Sequence, residues 1–213
     1  MKYEAGSVRD IPVNAAELCG LTWSGEFLWF SDAAFQQIQA IDPQSGEVVQ
    51  KLECPGVQTD LTTVDGLLVQ VVTPDRKLRM IDPQDGATVR EWDNPCPGAE
   101  LCGLEATGSG IWIGYEQPAM LEFRRRSDFE LLERLSVSRP VAGVTATDRF
   151  VAFAEHAASE VHILDPTTGR IMVSIGVNGH PTGMTWDGAR LWYCDYASVQ
   201  LRAIEVPGVV SRS

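Results

Sequence analysis

The 213-residue sequence has no apolar run approaching the roughly 18 to 20 residues that a membrane-spanning helix needs. Its opening, Met1-Lys2-Tyr3-Glu4-Ala5-Gly6, lacks the apolar region of a secretory signal. A cytoplasmic protein that does not enter the membrane is expected. The five cysteines are an odd number with no tight C-x-x-C pair, so reduced thiols are expected rather than a zinc or redox site. Positive charge is scarce. Seventeen Lys and Arg against 29 Asp and Glu leave a net charge of −12, which argues against nucleic acid, whose phosphates require clustered cations. The acidity fits solubility and tolerates a cationic ligand. No phosphate-cradling glycine loop, G-x-S-x-G or H-E-x-x-H is present, which removes the best-known nucleotide, serine-hydrolase and zinc-protease signatures.

What is present is a repeat. Glu17-Leu18-Cys19-Gly20-Leu21 returns as Glu100-Leu101-Cys102-Gly103-Leu104, with weaker copies around Asp60, Gly143 and Gly183. Taking Gly20, Asp60, Gly103, Gly143 and Gly183 as anchors, the spacings are 40, 43, 40 and 40 residues. Each period reads as a short apolar strand, a Gly or Asp turn, a strongly apolar strand, a more polar third strand and a fourth. Between the last two stands Asp-Pro-x-x-Gly, at Asp42–Gly46, Asp82–Gly86 and Asp165–Gly169, where Pro presets φ and Gly accepts φ > 0. The third period lacks this turn and reads as strands Leu121 to Arg126 and Phe129 to Leu135 around Ser127-Asp128.

Four antiparallel strands per period of about 40 residues is a β-propeller blade. The fifth period ends one strand short near Pro207-Gly208, while Ser7 to Val13 reads as a fourth strand with no blade before it. Pairing the two closes the ring and removes both sheet edges. The expected fold is all-β: one five-bladed propeller domain with blades near 14–55, 56–97, 98–137, 138–178, and 179–208 plus 7–13. Trp23 and Trp186 share one repeat position, and Trp29, Trp112 and Trp192 another. Packing between blades suits such residues better than a ligand cage.

In a propeller the start of each inner strand and the end of each second strand meet at one mouth of the central channel. Three residues before each anchor stand Glu17, Val57, Glu100, Pro140 and His180, and one before it Cys19, Thr59, Cys102, Ala142 and Thr182. Second strands end at Asp32, Val72, Tyr115, Glu155 and Asp195, followed by Ala33, Thr73, Glu116, His156 and Tyr196. Scaffold positions should look alike across blades. These vary, and they collect Glu, Asp, His, Cys and Tyr. Three readings remain open. Glu17, Glu100 and His180, with Asp195 or His156, could hold a divalent metal of unknown identity that polarises a substrate carbonyl. His156, Glu155 or Tyr115 could transfer protons without a metal. The ring could also simply be a solvated polar rim. Cys19 and Cys102 as nucleophiles would need a neighbouring cation, whereas small residues at the equivalent positions favour packing.

The run from Gly20 to Asp32, with Trp23, Gly25, Trp29 and Asp32, followed by Ile41-Asp42-Pro43-Gln44-Ser45-Gly46, resembles bacterial propeller repeats of the glutamine cyclotransferase-like and streptogramin lyase-like type. So does Gly183 to Asp195. The shared residues are blade scaffold, so the resemblance implies the fold. The five-blade count is most similar to the glutaminyl cyclotransferase group, which cyclises N-terminal Gln of peptides. Streptogramin lyases, which have more blades, use a metal and a histidine base to open a lactone by elimination. Both imply a mouth pocket for a small molecule or peptide terminus. The expected function is a small-molecule lyase, cyclase or isomerase, and the alternative is a non-catalytic ligand- or protein-binding propeller.

Overall fold

The computed structural model describes residues 2–206, all strand, turn and loop, as five blades of four antiparallel strands in a ring. The chain opens with β1 (Lys2–Glu4) and β2 (Arg9–Pro12). Blade one is β3 (Leu18–Trp23), β4 (Leu28–Asp32), β5 (Gln37–Ile41) and β6 (Val48–Glu53). Blade two is β7 (Val57–Val64), β8 (Leu67–Val72), β9 (Lys77–Ile81) and β10 (Thr88–Trp92). Blade three is β11 (Leu101–Ala106), β12 (Ile111–Tyr115), β13 (Met120–Arg124) and β14 (Leu131–Ser136). Blade four is β15 (Gly143–Ala146), β16 (Val151–Glu155), β17 (Glu160–Leu164) and β18 (Ile171–Gly176). Blade five supplies β19 (Pro181–Trp186), β20 (Leu191–Asp195) and β21 (Gln200–Ile204), and β2 completes it.

Ring closure follows the expected pairing. β2 lies antiparallel to β21, with Arg9 opposite Ala203 and Pro12 opposite Gln200. β2 thus supplies the fourth strand of blade five and covers the hydrogen-bonding edge of β21. β1 is an addition that periodicity does not announce: it runs parallel to β18 as a fifth strand on blade four.

The turns form by local chemistry. Asp42 Oδ1 accepts the Gln44 N–H at 2.7 Å, the Gly46 N–H bonds back to Asp42 O at 2.8 Å, and Gly46 has φ +80°. Blade three shows how the motif is replaced. Phe129 takes the glycine's place with φ +58°, its N–H bonded to Arg125 O, and its ring packs edge-on against Trp92 at 5.1 Å. Phe129 thus belongs to the turn, and β14 starts at Leu131 rather than at Phe129 as expected.

Between each pair of adjacent blades lies one apolar core. Trp29 is buried between blades one and two, Trp112 between three and four, and Trp192 between five and one. The equivalent tryptophans therefore fill equivalent inter-blade seams, which matches the packing role. Inner strands approach closely enough to require glycine. A Cβ on Gly143 would stand 2.1 Å from Thr182 O, and one on Gly183 would stand 2.6 Å from Cys19 O.

Candidate functional site

The two rows of aligned positions do meet on one face. The Ala33 N–H bonds to Glu17 O at 2.9 Å, Glu116 N–H to Glu100 O at 2.9 Å, and Tyr196 N–H to His180 O at 3.0 Å. Blades one, three and five thus present the same rim geometry. Blade two uses Gly56 in this role, accepting from Thr73 N–H at 2.7 Å, and blade four ties Ala142 N–H to Ala154 O instead.

Blades four and five bring together the rim's aromatic and basic groups. The His156 and His180 rings lie 5.0 Å apart, and the Tyr196 ring meets His156 edge-on at 5.8 Å. His180 Nδ1 is 3.1 Å from His156 O. A carbonyl only accepts, so Nδ1 carries the proton and the neutral ring keeps its lone pair on Nε2. His180 is exposed, and His156 is half-buried with its Nδ1 enclosed and without a hydrogen-bond partner.

Blades two and three form a second corner. Arg76, the last residue of the turn after β8, donates from one guanidinium nitrogen to Leu101 O at 2.7 Å and lies 3.4 Å from Cys102 Sγ. Glu116 is 3.9 Å from the same sulfur. Arg76, with Asp75, Asn94 and Ala99, lines a cavity of about 470 Å³ between these blades. The mouth alignment does not reach Arg76. Its signal is Gln36, which holds the same place in blade one and likewise bonds across to the next blade, at Val57 O and Gly56 N–H.

The thiols are not activated. Burial pushes Cys19 up to about 12 and Cys102 up to about 11, the latter against the pull of the Arg76 charge. Both stay protonated at neutral pH, as packing residues do.

Several aligned residues point elsewhere. Asp32, fully buried, accepts N–H bonds from Ala16, Glu17, Ala34 and Phe35 and so caps its own turn. Asp195 does the same in blade five, with bonds from His180 N–H, Ala197 N–H and the Ser198 hydroxyl and a 2.8 Å contact to Arg202 Nε. Tyr115 is sealed in the core between blades two and three. Glu155 turns to His162, not to the mouth. Glu17 and Glu100 stand on blades one and three. Among the described residues, the His, Cys, Asp and Glu side chains that gather three donor atoms within 4.8 Å are Glu155, Glu160 and His162. Glu17, Glu100, His180 and Asp195 are therefore not assembled as one ligand set.

The axis itself holds two carboxylates that the mouth alignment passes over. Asp60 accepts the N–H groups of Leu21, Leu61 and Leu104 at 3.1, 2.9 and 3.1 Å, one from each of three blades. Glu105 is bonded by Thr145 and Thr62 hydroxyls at 3.0 and 3.4 Å. Desolvation by burial raises both carboxyls above the ordinary range. The repeat does mark them. Asp60 is the one non-glycine anchor, and Glu105 breaks a row of Thr22, Thr62, Thr145 and Thr185.

No family model matches the chain, and no curated protein matches it. Solved structures do. Glutaminyl cyclase from Myxococcus xanthus superposes with a TM-score of 0.80 at 14% identity, over 96% of this chain and 97% of that one. A catalytically inactive virginiamycin B lyase from Staphylococcus aureus, with quinupristin, superposes with a TM-score of 0.54 at 16% identity, over 89% of this chain and 66% of that one. At these identities the likeness is one of fold: the chain is a five-bladed β-propeller similar in architecture to a cyclase and, more distantly, to a lyase.

Proposed function

We propose that the mouth face performs acid–base chemistry of the lyase, cyclase or isomerase kind on a small molecule or peptide terminus, with His180 moving the proton. The observation that carries this is the His180 Nδ1 to His156 O bond, which fixes the ring and leaves Nε2 as an exposed base. The His156 ring lies beside the His180 ring and Tyr196 meets His156 edge-on, while Glu17, Glu100 and Glu116 stand on the same face and lend it negative charge. In a cyclisation of N-terminal Gln, the activity named for the M. xanthus structure, the α-amine attacks the side-chain amide carbon. The base takes the amine proton, the C–N bond to the amide nitrogen breaks, and ammonia leaves carrying that proton.

The test is ammonia release from Gln-initiated peptides, beside ring opening of a cyclic lactone peptide, for wild type and His180→Gln. Turnover falling by about two orders of magnitude or more in the variant supports the assignment. Turnover indifferent to His180 overturns it.

A non-catalytic reading has one observation in its favour. Phe35 and Tyr196, in the turns that follow second strands of adjacent blades, are 49% and 44% exposed. Exposed aromatics on the loops of one face suit a docking surface. Ligand binding at this face without any turnover would favour that reading.

A further inference from the structure

Blade four contains a second cluster that uses neither mouth histidine. Its paired strands β16, β17, β18 and β1 set two neighbouring rows on one face. Phe153, His162, Ser174 and Lys2 form one row, and Glu155, Glu160, Gly176 and Glu4 the next. His162 is 1% exposed. Its Nδ1 lies 2.9 Å from Ser174 Oγ, and its Nε2 lies 2.9 Å from Glu155 Oε2 and 3.6 Å from Glu160 Oε2.

Three features of this arrangement suit a cation. A tetrahedral zinc site with bonds of about 2.0–2.1 Å separates its ligand atoms by about 3.3 Å, a value the two observed separations bracket. Ser174 holds the far side of the imidazole, as an outer-shell partner does for a metal-bound histidine. Gly176 keeps space for a further carboxylate: a Cβ there would stand 2.2 Å from Glu4 Oε2. A cationic group already occupies the edge of the cluster. Lys2 Nζ lies 2.7 Å from Glu160 Oε1, at the end of a side chain that is 63% exposed and free to swing away. Arg139, also exposed, is 3.6 Å from Glu155.

We propose that Glu155, Glu160 and His162 form a binding site for a first-row divalent cation of the zinc type, for which Lys2 is the resident competitor. Two carboxylates with one imidazole match the borderline hardness of such ions. Because Lys2 and Glu4 belong to β1, occupancy of this site is linked to docking of the N-terminal strand on blade four.

The experiment is calorimetric titration of the full chain with Zn²⁺ alone. One equivalent should bind. Glu160→Gln and His162→Gln should each weaken binding about tenfold or more, and Lys2→Met should tighten it. His162 is buried, so its variant is read only where circular dichroism matches wild type, whereas Glu160→Gln changes a more accessible side chain and decides independently. The double variant His156→Ala/His180→Ala should bind as wild type does. Absent uptake, uptake unchanged in Glu160→Gln, or uptake lost in the mouth double variant each overturns the proposal.

Discussion

Asp60 and Glu105 are two buried carboxylates on the inner strands of neighbouring blades, and the Asp60 charge adds to the upward shift that burial imposes on Glu105, with no ion pair to either among the described residues. Burial is the largest influence on both, and it favours the protonated form. They are held differently. Asp60 is surrounded by backbone N–H donors, which oppose the upward shift, and Glu105 by hydroxyls that can donate or accept.

The first prediction concerns pH. A carboxyl raised in the folded state contributes fully below its unfolded value, about 4.3 for Glu. That contribution is lost as pH rises through the folded value, at up to about 1.4 kcal/mol per pH unit for one group. Wild-type stability should therefore decline from weakly acid toward neutral pH. Glu105→Gln keeps the shape and the threonine partners but cannot ionise. Denaturant midpoints between about pH 5 and pH 8 should fall less steeply in the variant. Parallel slopes would mean that Glu105 is already ionised throughout.

Asp60→Asn should behave in the opposite sense. Only one oxygen remains for three inward N–H groups, and the new NH₂ faces donors. Each buried donor left without a partner costs about 1–3 kcal/mol. Since each kcal/mol shifts the melting temperature of a chain this size by roughly 2–4 °C, scanning calorimetry should show a loss well above that of Glu105→Gln. Equal losses would remove the distinction drawn between the two sites.

Close approach at the anchors yields a third prediction. Gly143→Ala places a methyl 2.1 Å from a backbone oxygen of the next inner strand, an atom that cannot turn aside. The cost should reach the upper part of the 1–3 kcal/mol range typical of overpacking, or exceed it. At Gly108 a methyl would meet nothing within 4 Å, and the backbone there has no left-handed φ. Gly108→Ala should be neutral or stabilising by up to about 1 kcal/mol. Chemical denaturation of the pair provides the comparison.

Which features were legible follows from where the physics is local. Asp42-Pro43-x-x-Gly46 announces its turn because the bonds that form it lie within five residues. Gly20, Gly103, Gly143 and Gly183 announce the inner strands because no side chain fits there. Alignment also placed Glu17, Glu100 and His180 at equivalent rim positions, as their shared backbone bond shows. Alignment cannot tell which way a side chain turns. Asp32 and Asp195 fold onto the free N–H groups of their own turns, yet Glu155, in the same row, finds His162 across the sheet. β1 was illegible because three residues have no period and a parallel pairing has no turn to mark it.

The cysteines supply a fourth prediction. With Cys19 and Cys102 pushed up by burial, a thiol-disulfide reagent at about pH 8 should modify neither within the time that denatured protein reacts completely. Cys102→Ala should leave turnover within a few-fold of wild type in the assays proposed for His180. Rapid labelling of Cys102, read by peptide mass spectrometry, would restore it as a candidate nucleophile.

The last prediction separates scaffold from chemistry at the His180 rim. Burial alone would raise the Asp195 carboxyl, but hydrogen bonds from Ser198, His180 N–H and Arg202 outweigh it and hold the group below its ordinary value. A depressed carboxyl contributes above its unfolded value, about 3.9, and its contribution is lost as pH falls through the folded value. Asp195→Ala also leaves the half-buried Arg202 with Asp10 as its charged partner among the described residues, and takes the acceptor from the His180 and Ala197 N–H groups. Each donor left without a partner costs about 1–3 kcal/mol, so a loss of that order is expected at neutral pH, shrinking relative to wild type below about pH 4. Because the His180 N–H bonds to Asp195, the variant should also loosen the rim, lowering turnover in proportion to the population misaligned. His180→Gln should do the reverse, cutting turnover by about two orders of magnitude or more at near-normal stability. Measuring melting temperature and turnover on both variants tests this directly: a stable Asp195→Ala protein, or an unstable His180→Gln one, would contradict the assignment of Asp195 to the turn and His180 to the chemistry.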